Sequence, residues 1–208
     1  MNLLKRVFLL ILGIFIIACA INLIIISNLG ATAWDSANFT LAEYFNITPG
    51  LATFITGALL TIIIELLNFK KLTFKKSINV FIVIILGFLS GFFINFTSPF
   101  ITNFFPEAKI LGIVGIFVFA YGINTVSLAN LTADPINNFM LKIMEYYNLK
   151  ISNARIITDL VALTLALSLG FLLWNINIFK HYLGIGTLIS FFLLPFSIQL
   201  LAKYIFKK

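Results

Sequence analysis

Six stretches of the chain are apolar over about the length a helix needs to cross a hydrocarbon core of about 30 Å, roughly 20 residues. They fall at approximately 7–27, 50–68, 77–98, 110–128, 151–174 and 182–204. In lipid every backbone amide needs an internal partner, so the pattern predicts a transmembrane helix for each. Between the first and second stretches comes a polar break, Ser27-Asn28-Leu29-Gly30-Ala31-Thr32-Ala33-Trp34-Asp35, and then a short amphipathic segment reaching Asn46. Its counterpart after the fourth stretch is Ala129-Asn130-Leu131-Thr132-Ala133-Asp134-Pro135-Ile136-Asn137, with a segment reaching Asn148. In that second segment Ile136, Phe139, Met140, Ile143, Met144 and Tyr147 recur at helical spacing. A short extra helix, too short to span, is therefore expected after the first span of each half.

The two breaks belong to a longer duplication. Shifted by 102 residues, 13–68 lies on 115–170 without a gap. The polar matches carry the comparison: Asn22 with Asn124, Asn28 with Asn130, Glu43 with Glu145, Tyr44 with Tyr146, Asn46 with Asn148, Thr56 with Thr158. The third helix of each half aligns after about six extra residues in the second. Three spans per unit is an odd number, so the second unit enters from the opposite face. The expected fold is an all-α membrane protein, one transmembrane domain over residues 1–208. Its six transmembrane helices form two inverted three-helix repeats, about 7–98 and 110–204.

Charge supports this count. With the N-terminus inside, the inner segments hold Lys5, Arg6, Lys70, Lys71, Lys75, Lys76, Lys142, Lys150, Arg155, Lys203, Lys207 and Lys208, against Lys109 and Lys180 outside. That bias predicts cytoplasmic termini in a bacterial inner membrane. The composition, 61% hydrophobic and 10% charged over 208 residues, leaves too little polar surface for a soluble domain. The net charge of +7 sits at segment ends rather than in one stripe, so nucleic acid is not an expected partner; the bilayer is. The opening segment up to Cys19 resembles a lipoprotein signal, but its apolar run continues to Ile26 and cleavage is not expected. A single cysteine excludes an internal disulfide framework, and no metal site or cofactor is expected.

The polar residues inside or beside the spans are the candidate chemistry. Thr32 three residues before Asp35 reads as a capping box, and Asp134 before Pro135 as an N-cap with proline at the first helical position. Asn22 and Asn124 lie within apolar spans, where an amide is either helix–helix glue or a polar pathway group. Asp159 lies four residues after Arg155, the spacing of an ion pair, and an intramembrane acid is also a proton-relay candidate. Thr56 and Thr158 can bond their own helix backbones, and Glu65 reads as a paired charge near the interface. The pathway candidates are Asn22, Asn28, Thr32, Asp35, Asn124, Asn130, Asp134, Asn137 and Asp159. Gly87, Ser90 and Gly91 form a small-residue face for close helix contact, between the halves or in a homodimer.

The Asn-Leu-Gly motif with Trp-Asp at 28–35, the second Asn-Leu motif at 130–137, and Gly184-Ile185-Gly186-Thr187 through Pro195 and Gln199 occur in matching order and spacing. In these the chain resembles the YczE/YyaS/YitT-like membrane proteins of bacteria over nearly its whole length. The resemblance implies a six-span inner-membrane protein; some members are associated with production or export of secondary metabolites. Ala33 stands where the family carries Pro, Thr132 where it carries Gly, and Asn137 where it carries Asp. The last argues against a mechanism needing an acid in both halves.

The function expected is transport of an unknown small molecule, or a component of such a transporter, because inverted halves meeting at broken helices are the architecture of alternating access. A vitamin-binding subunit of an energy-coupling importer and a non-transporting scaffold or accessory protein are the alternatives. Enzymatic activity is not expected: His181 is the only histidine, and neither an H-E-x-x-H pair nor a nucleophile elbow occurs.

Overall fold

The computed structural model describes residues 2–67, 74–131, 135–172 and 183–204. Among the described residues there are eight helices: α1 (Leu3–Ile26), α2 (Ala33–Phe45), α3 (Pro49–Leu67), α4 (Phe74–Phe104), α5 (Lys109–Ala129), α6 (Pro135–Tyr147), α7 (Ile151–Leu172) and α8 (Ile185–Tyr204). Five are long and apolar enough to cross a membrane: α1, α4, α5, α7 and α8. The described part of α3 qualifies only together with α2, from which it is bent by 114°, making up to six crossings. The expected short helices are α2 and α6, of 13 residues each. Helix α4 outruns its expected 77–98 and stops one residue short of Phe105-Pro106, where proline disfavours helix in the residue before it. Asp134, His181 and Lys180, and the basic residues Lys70, Lys71, Lys207 and Lys208, lie outside the described residues, as do the side chains of Glu65, Lys75 and Lys76.

An antiparallel pair, α1 and α5, forms the centre, with α4 on α1 and α8 on α5. The pair approaches closely because glycines remove the side chain at the contact. A Cβ on Gly13 would meet Val126 Cγ2 at 2.7 Å, and one on Gly122 would meet Ile17 Cγ1 at 2.7 Å. In lipid, where apolar surface gains nothing by leaving its solvent, such close packing is what holds helices together. Ile14, Ile17, Ile21 and Ile24 of α1 are buried against Ile116, Phe119 and Ile123 of α5. On the outside of α4, Phe81, Phe88, Phe92, Phe96 and Phe100 are exposed, a stripe suited to acyl chains.

The small-residue face of α4 is used within the chain. Gly91 packs on the backbone of Gly50 in α3, and Gly87 packs on the ring of Pro135 at the start of α6. Helix α2 lies against α7 and α3, and α6 against α7, α3 and α4. Each short helix therefore touches both halves of the chain.

Candidate functional site

The left-handed residues mark where the chain turns. Among the described residues, the non-glycine positions with positive φ are Asn28 (53°), Asn46 (51°), Asn130 (48°) and Asn148 (52°), all asparagines and pairwise 102 apart. Asparagine tolerates this region better than other side chains, so it ends α1, α2, α5 and α6. After Asn28 the chain runs past α8, where the Gly186 N–H donates to the Leu29 carbonyl at 2.7 Å. Gly30, at φ 112°, lies so near Gly184 that a Cβ would come within 2.8 Å of its nitrogen. The strand-like stretch then delivers Thr32 to the start of α2.

The capping expectation holds at Thr32. The Asp35 N–H donates to Thr32 Oγ1 at 3.4 Å, and the Thr32 hydroxyl donates to Asp35 Oδ2 at 2.5 Å. This satisfies an orphan amide of the helix start. It also leaves Asp35 with one oxygen not engaged by Thr32, in a position only 5% exposed.

The first turns of α2 and α6 meet at one small cavity. Its volume is about 20 Å³, room for about one water molecule. Thr32, Trp34 and Asp35 line it from α2, and Ile136 and Asn137 from α6. Ile17 of α1 and Phe119 of α5 also line it, and both lie near the middle of their helices. At 1.5 Å per residue Ile17 and Phe119 lie more than about 10 Å from either end of their helices, while Ile21, which also lines the cavity, lies about 7.5 Å from the end of α1.

Thr53 of α3, Ser90 of α4 and Arg155 of α7 line it too, and Arg155 is 1% exposed. Its Nε donates to Asp159 Oδ2 at 3.1 Å, the ion pair that the spacing predicts, and its guanidinium sits 5.4 Å from the centre of the Phe119 ring. Asp159 is 3% exposed, and its Oδ1 has no hydrogen-bond partner among the described residues. Asp35 feels the charges of both Arg155 and Asp159. The indole Nε1 of Trp34 is likewise buried without a partner, while its ring meets Phe139 of α6 edge-on at 6.4 Å. Buried polar atoms are nearly always satisfied, so two orphans around one cavity need an explanation.

The other candidates lie elsewhere. Asn22 Nδ2 donates to the Ile94 carbonyl at 3.0 Å and to Thr97 Oγ1 at 2.9 Å. Asn124 Nδ2 donates to the Ile198 carbonyl at 3.0 Å. Each ties a central helix to its outer neighbour, α1 to α4 and α5 to α8, which is the glue role. Asn28 donates to Glu107 Oε2 at 2.9 Å on an exposed surface beyond one end of α1. Asn130 lies at the other end, where Arg6 donates from Nε to the Ala129 carbonyl at 2.8 Å and from Nη2 to the Asn130 carbonyl. Of the nine candidates, then, Thr32, Asp35 and Asn137 line the cavity and Asp159 stands behind it.

Sequence reasoning did not single out Trp34, Thr53, Ser90 or Arg155 as site residues. Arg155 carried a signal, a guanidinium inside an apolar span; Trp34 stood in the Trp-Asp motif and Ser90 in the small-residue face of its span, while Thr53 had none, since a threonine hydroxyl is ordinary in a helix. Asn38 was missed as well: it receives the Thr56 hydroxyl at 2.6 Å and donates to Thr53 Oγ1 at 3.2 Å, fastening α2 to α3.

A family model described as "Family of unknown function (DUF6198)" matches residues 4–203. The "Uncharacterized membrane protein YczE" of Bacillus subtilis (strain 168) is 26% identical over 198 residues, covering 91% of this chain and 85% of that protein. No solved structure matches.

Proposed function

This membrane protein belongs to the DUF6198 family, and we propose that it is a small-molecule transporter, or the substrate-binding membrane component of one, working by alternating access to the central cavity. The observation that carries the reading is the meeting of the first turns of α2 and α6 at mid-depth, around buried Asp35, Asn137 and Arg155. Helix starts at the bilayer midplane are where broken-helix transporters bind substrate.

The chain is read as two inverted halves. Their breaks open from opposite ends of the central pair, Asn28 beside Glu107 and Asn130 beside Arg6. Exposed aromatic pairs end the two short helices, Tyr44 with Phe45 and Tyr146 with Tyr147, as interfacial anchors do. The bias of basic residues favours a cytoplasmic side for the Arg6 end and for both termini. A cavity of about 20 Å³ fits an occluded state of that cycle. The Arg6 contacts close it on one side, and the Leu29–Gly186 and Asn28–Glu107 contacts on the other.

Single cysteines placed in a Cys19→Ser background test this. Asn28→Cys and Asn130→Cys should react with a membrane-impermeant thiol reagent from opposite faces. Ser90→Cys, on the cavity, should react from each face in turn as conditions shift the resting conformation. A cysteine at 90 that never reacts, in protein whose positions 28 and 130 label normally, would sink the alternating pathway.

A further inference from the structure

The cavity holds an imbalance of charge. Arg155 supplies one positive charge; Asp35 and Asp159, 5% and 3% exposed, supply two acids. Among the described residues, no other charged group acts on Asp35. The helices around the cavity present Ile17 from α1, Thr53 from α3, Ser90 from α4, Phe119 from α5 and Asn137 from α6. If both acids are ionised, one negative charge has no counter-charge in a medium that solvates it poorly. Two carboxyls that share one cation cannot both ionise freely, so something must accompany the second.

Volume and electrostatics say what. Arg155 itself lines the cavity, so a metal ion in its 20 Å³ would sit against a fixed positive charge. A proton needs no volume, and on a carboxyl it removes the surplus charge outright. Arg155 is already engaged through Nε with Asp159. Asp35 faces instead the neutral Thr32 hydroxyl and lies next in sequence to the Trp34 indole, whose Nε1 hydrogen is unused. The second orphan, Asp159 Oδ1, is a buried acceptor with no hydrogen-bond partner among the described residues, on the carboxylate that Arg155 already holds.

We infer that the Asp35–Arg155–Asp159 cluster binds one exchangeable proton per chain, carried on Asp35, and that this proton switches the central cavity between its states. Protonation forms one O–H bond on the Asp35 carboxylate and takes the proton from water; release returns it, and the ionised carboxylate then competes with Asp159 for Arg155. The use of the switch in transport rests on the function proposed above; the binding of the proton does not. The proton is thus the coupling ion of that cycle.

Trp34 is the reporter. The chain has two tryptophans and one histidine, so Trp174→Phe with His181→Gln leaves one indole and no imidazole. Full-length protein in nanodiscs, titrated from about pH 4 to about pH 9, covers the carboxylate and histidine ranges. The expected result is a single fluorescence step, over which the protein takes up one proton per chain more than Asp35→Asn does, since the other carboxyls titrate in both. Asp35→Asn should abolish the step and that excess uptake. Asp159→Asn should raise the proton concentration at the midpoint by about tenfold or more, because Arg155 then faces Asp35 alone. Replacing potassium by sodium should leave the midpoint in place.

A step that survives in Asp35→Asn, or proton uptake equal to that of Asp35→Asn, overturns the inference; a sodium-dependent midpoint overturns it in favour of a metal cation. If Asp35→Asn yields no folded protein, Thr32→Val serves instead: it removes the hydroxyl bonded to Asp35, and an unmoved midpoint counts against the cluster. Proton binding with an unreactive Ser90→Cys would leave this inference standing while removing the transport reading, and the reverse pattern would do the opposite.

Discussion

Asp35 and Asn137 line the same cavity although 102 residues separate them, each seven positions after a left-handed asparagine, Asn28 or Asn130. The carboxylate of Asp35 and the amide of Asn137 thus share one cavity. With Arg155 already holding Asp159, an aspartate at 137 would make three acids around one cation. The amide keeps the hydrogen-bonding atoms without the third charge, and that difference is open to test.

Asn137→Asp should therefore lower stability, and the loss should shrink as the pH is lowered and carboxyls gain protons. Thermal unfolding of the nanodisc-embedded protein at two pH values measures it; an equal effect at both would separate Asn137 from the charged cluster.

Arg155→Met removes the cation that, among the described residues, acts on both buried acids. Breaking a buried pair by deleting one partner costs about 3–5 kcal/mol. The double variant Arg155→Met with Asp159→Leu should recover much of that, because the stranded charge goes too. Denaturant unfolding in mild detergent reads both, and a double variant no better than the single would refute the pairing.

Asn22→Leu and Asn124→Leu should each cost about 0.6–2 kcal/mol, the range for polar contacts between helices in a membrane. Their partners are separate, Ile94 with Thr97 and Ile198, so the two losses should add. Neither should move the Trp34 titration, since neither residue lines the cavity; a large shift would return them to the pathway.

Arg6→Ala deletes charge-assisted donors to the carbonyls that end α5. Such a bond contributes about 1.5 kcal/mol or more, which is roughly tenfold in an opening equilibrium. The labelling rate of Asn130→Cys should rise by about that factor, while Asn28→Cys at the far end stays unchanged. A rise at both ends would mean general loosening, with no closure at the Arg6 end.

Asn130→Gly should be nearly neutral, whereas Asn130→Val should cost about 1–2 kcal/mol for a β-branched residue at φ 48°. Unfolding midpoints of the two variants, measured side by side, decide it.

Much of this was legible before any tertiary contact was known. The two polar breaks were visible as paired interruptions of apolar runs, and Thr32 showed its capping role by its spacing to Asp35. Arg155 and Asp159 were visible as a pair, four residues apart on one helix. That Asp35 faces them was not, because α2 and α7 meet across about 120 residues of chain and nothing local encodes which polar residue lies opposite. Asn22 and Asn124 show the same limit. An amide at that depth suits a pathway or a helix contact equally, and only the carbonyls of Ile94 and Ile198 distinguish them.

The chain by itself determined where it resides and where its helices break, because both follow from transfer free energies and backbone hydrogen bonding within short windows. Which of the broken ends come together was decided by packing: Gly13 and Gly122 let α1 and α5 close up, and Gly50, Gly87 and Gly91 let α3, α4 and α6 do the same. Each contact depends on surface supplied by a distant segment, so its energy exists only once the whole bundle is assembled.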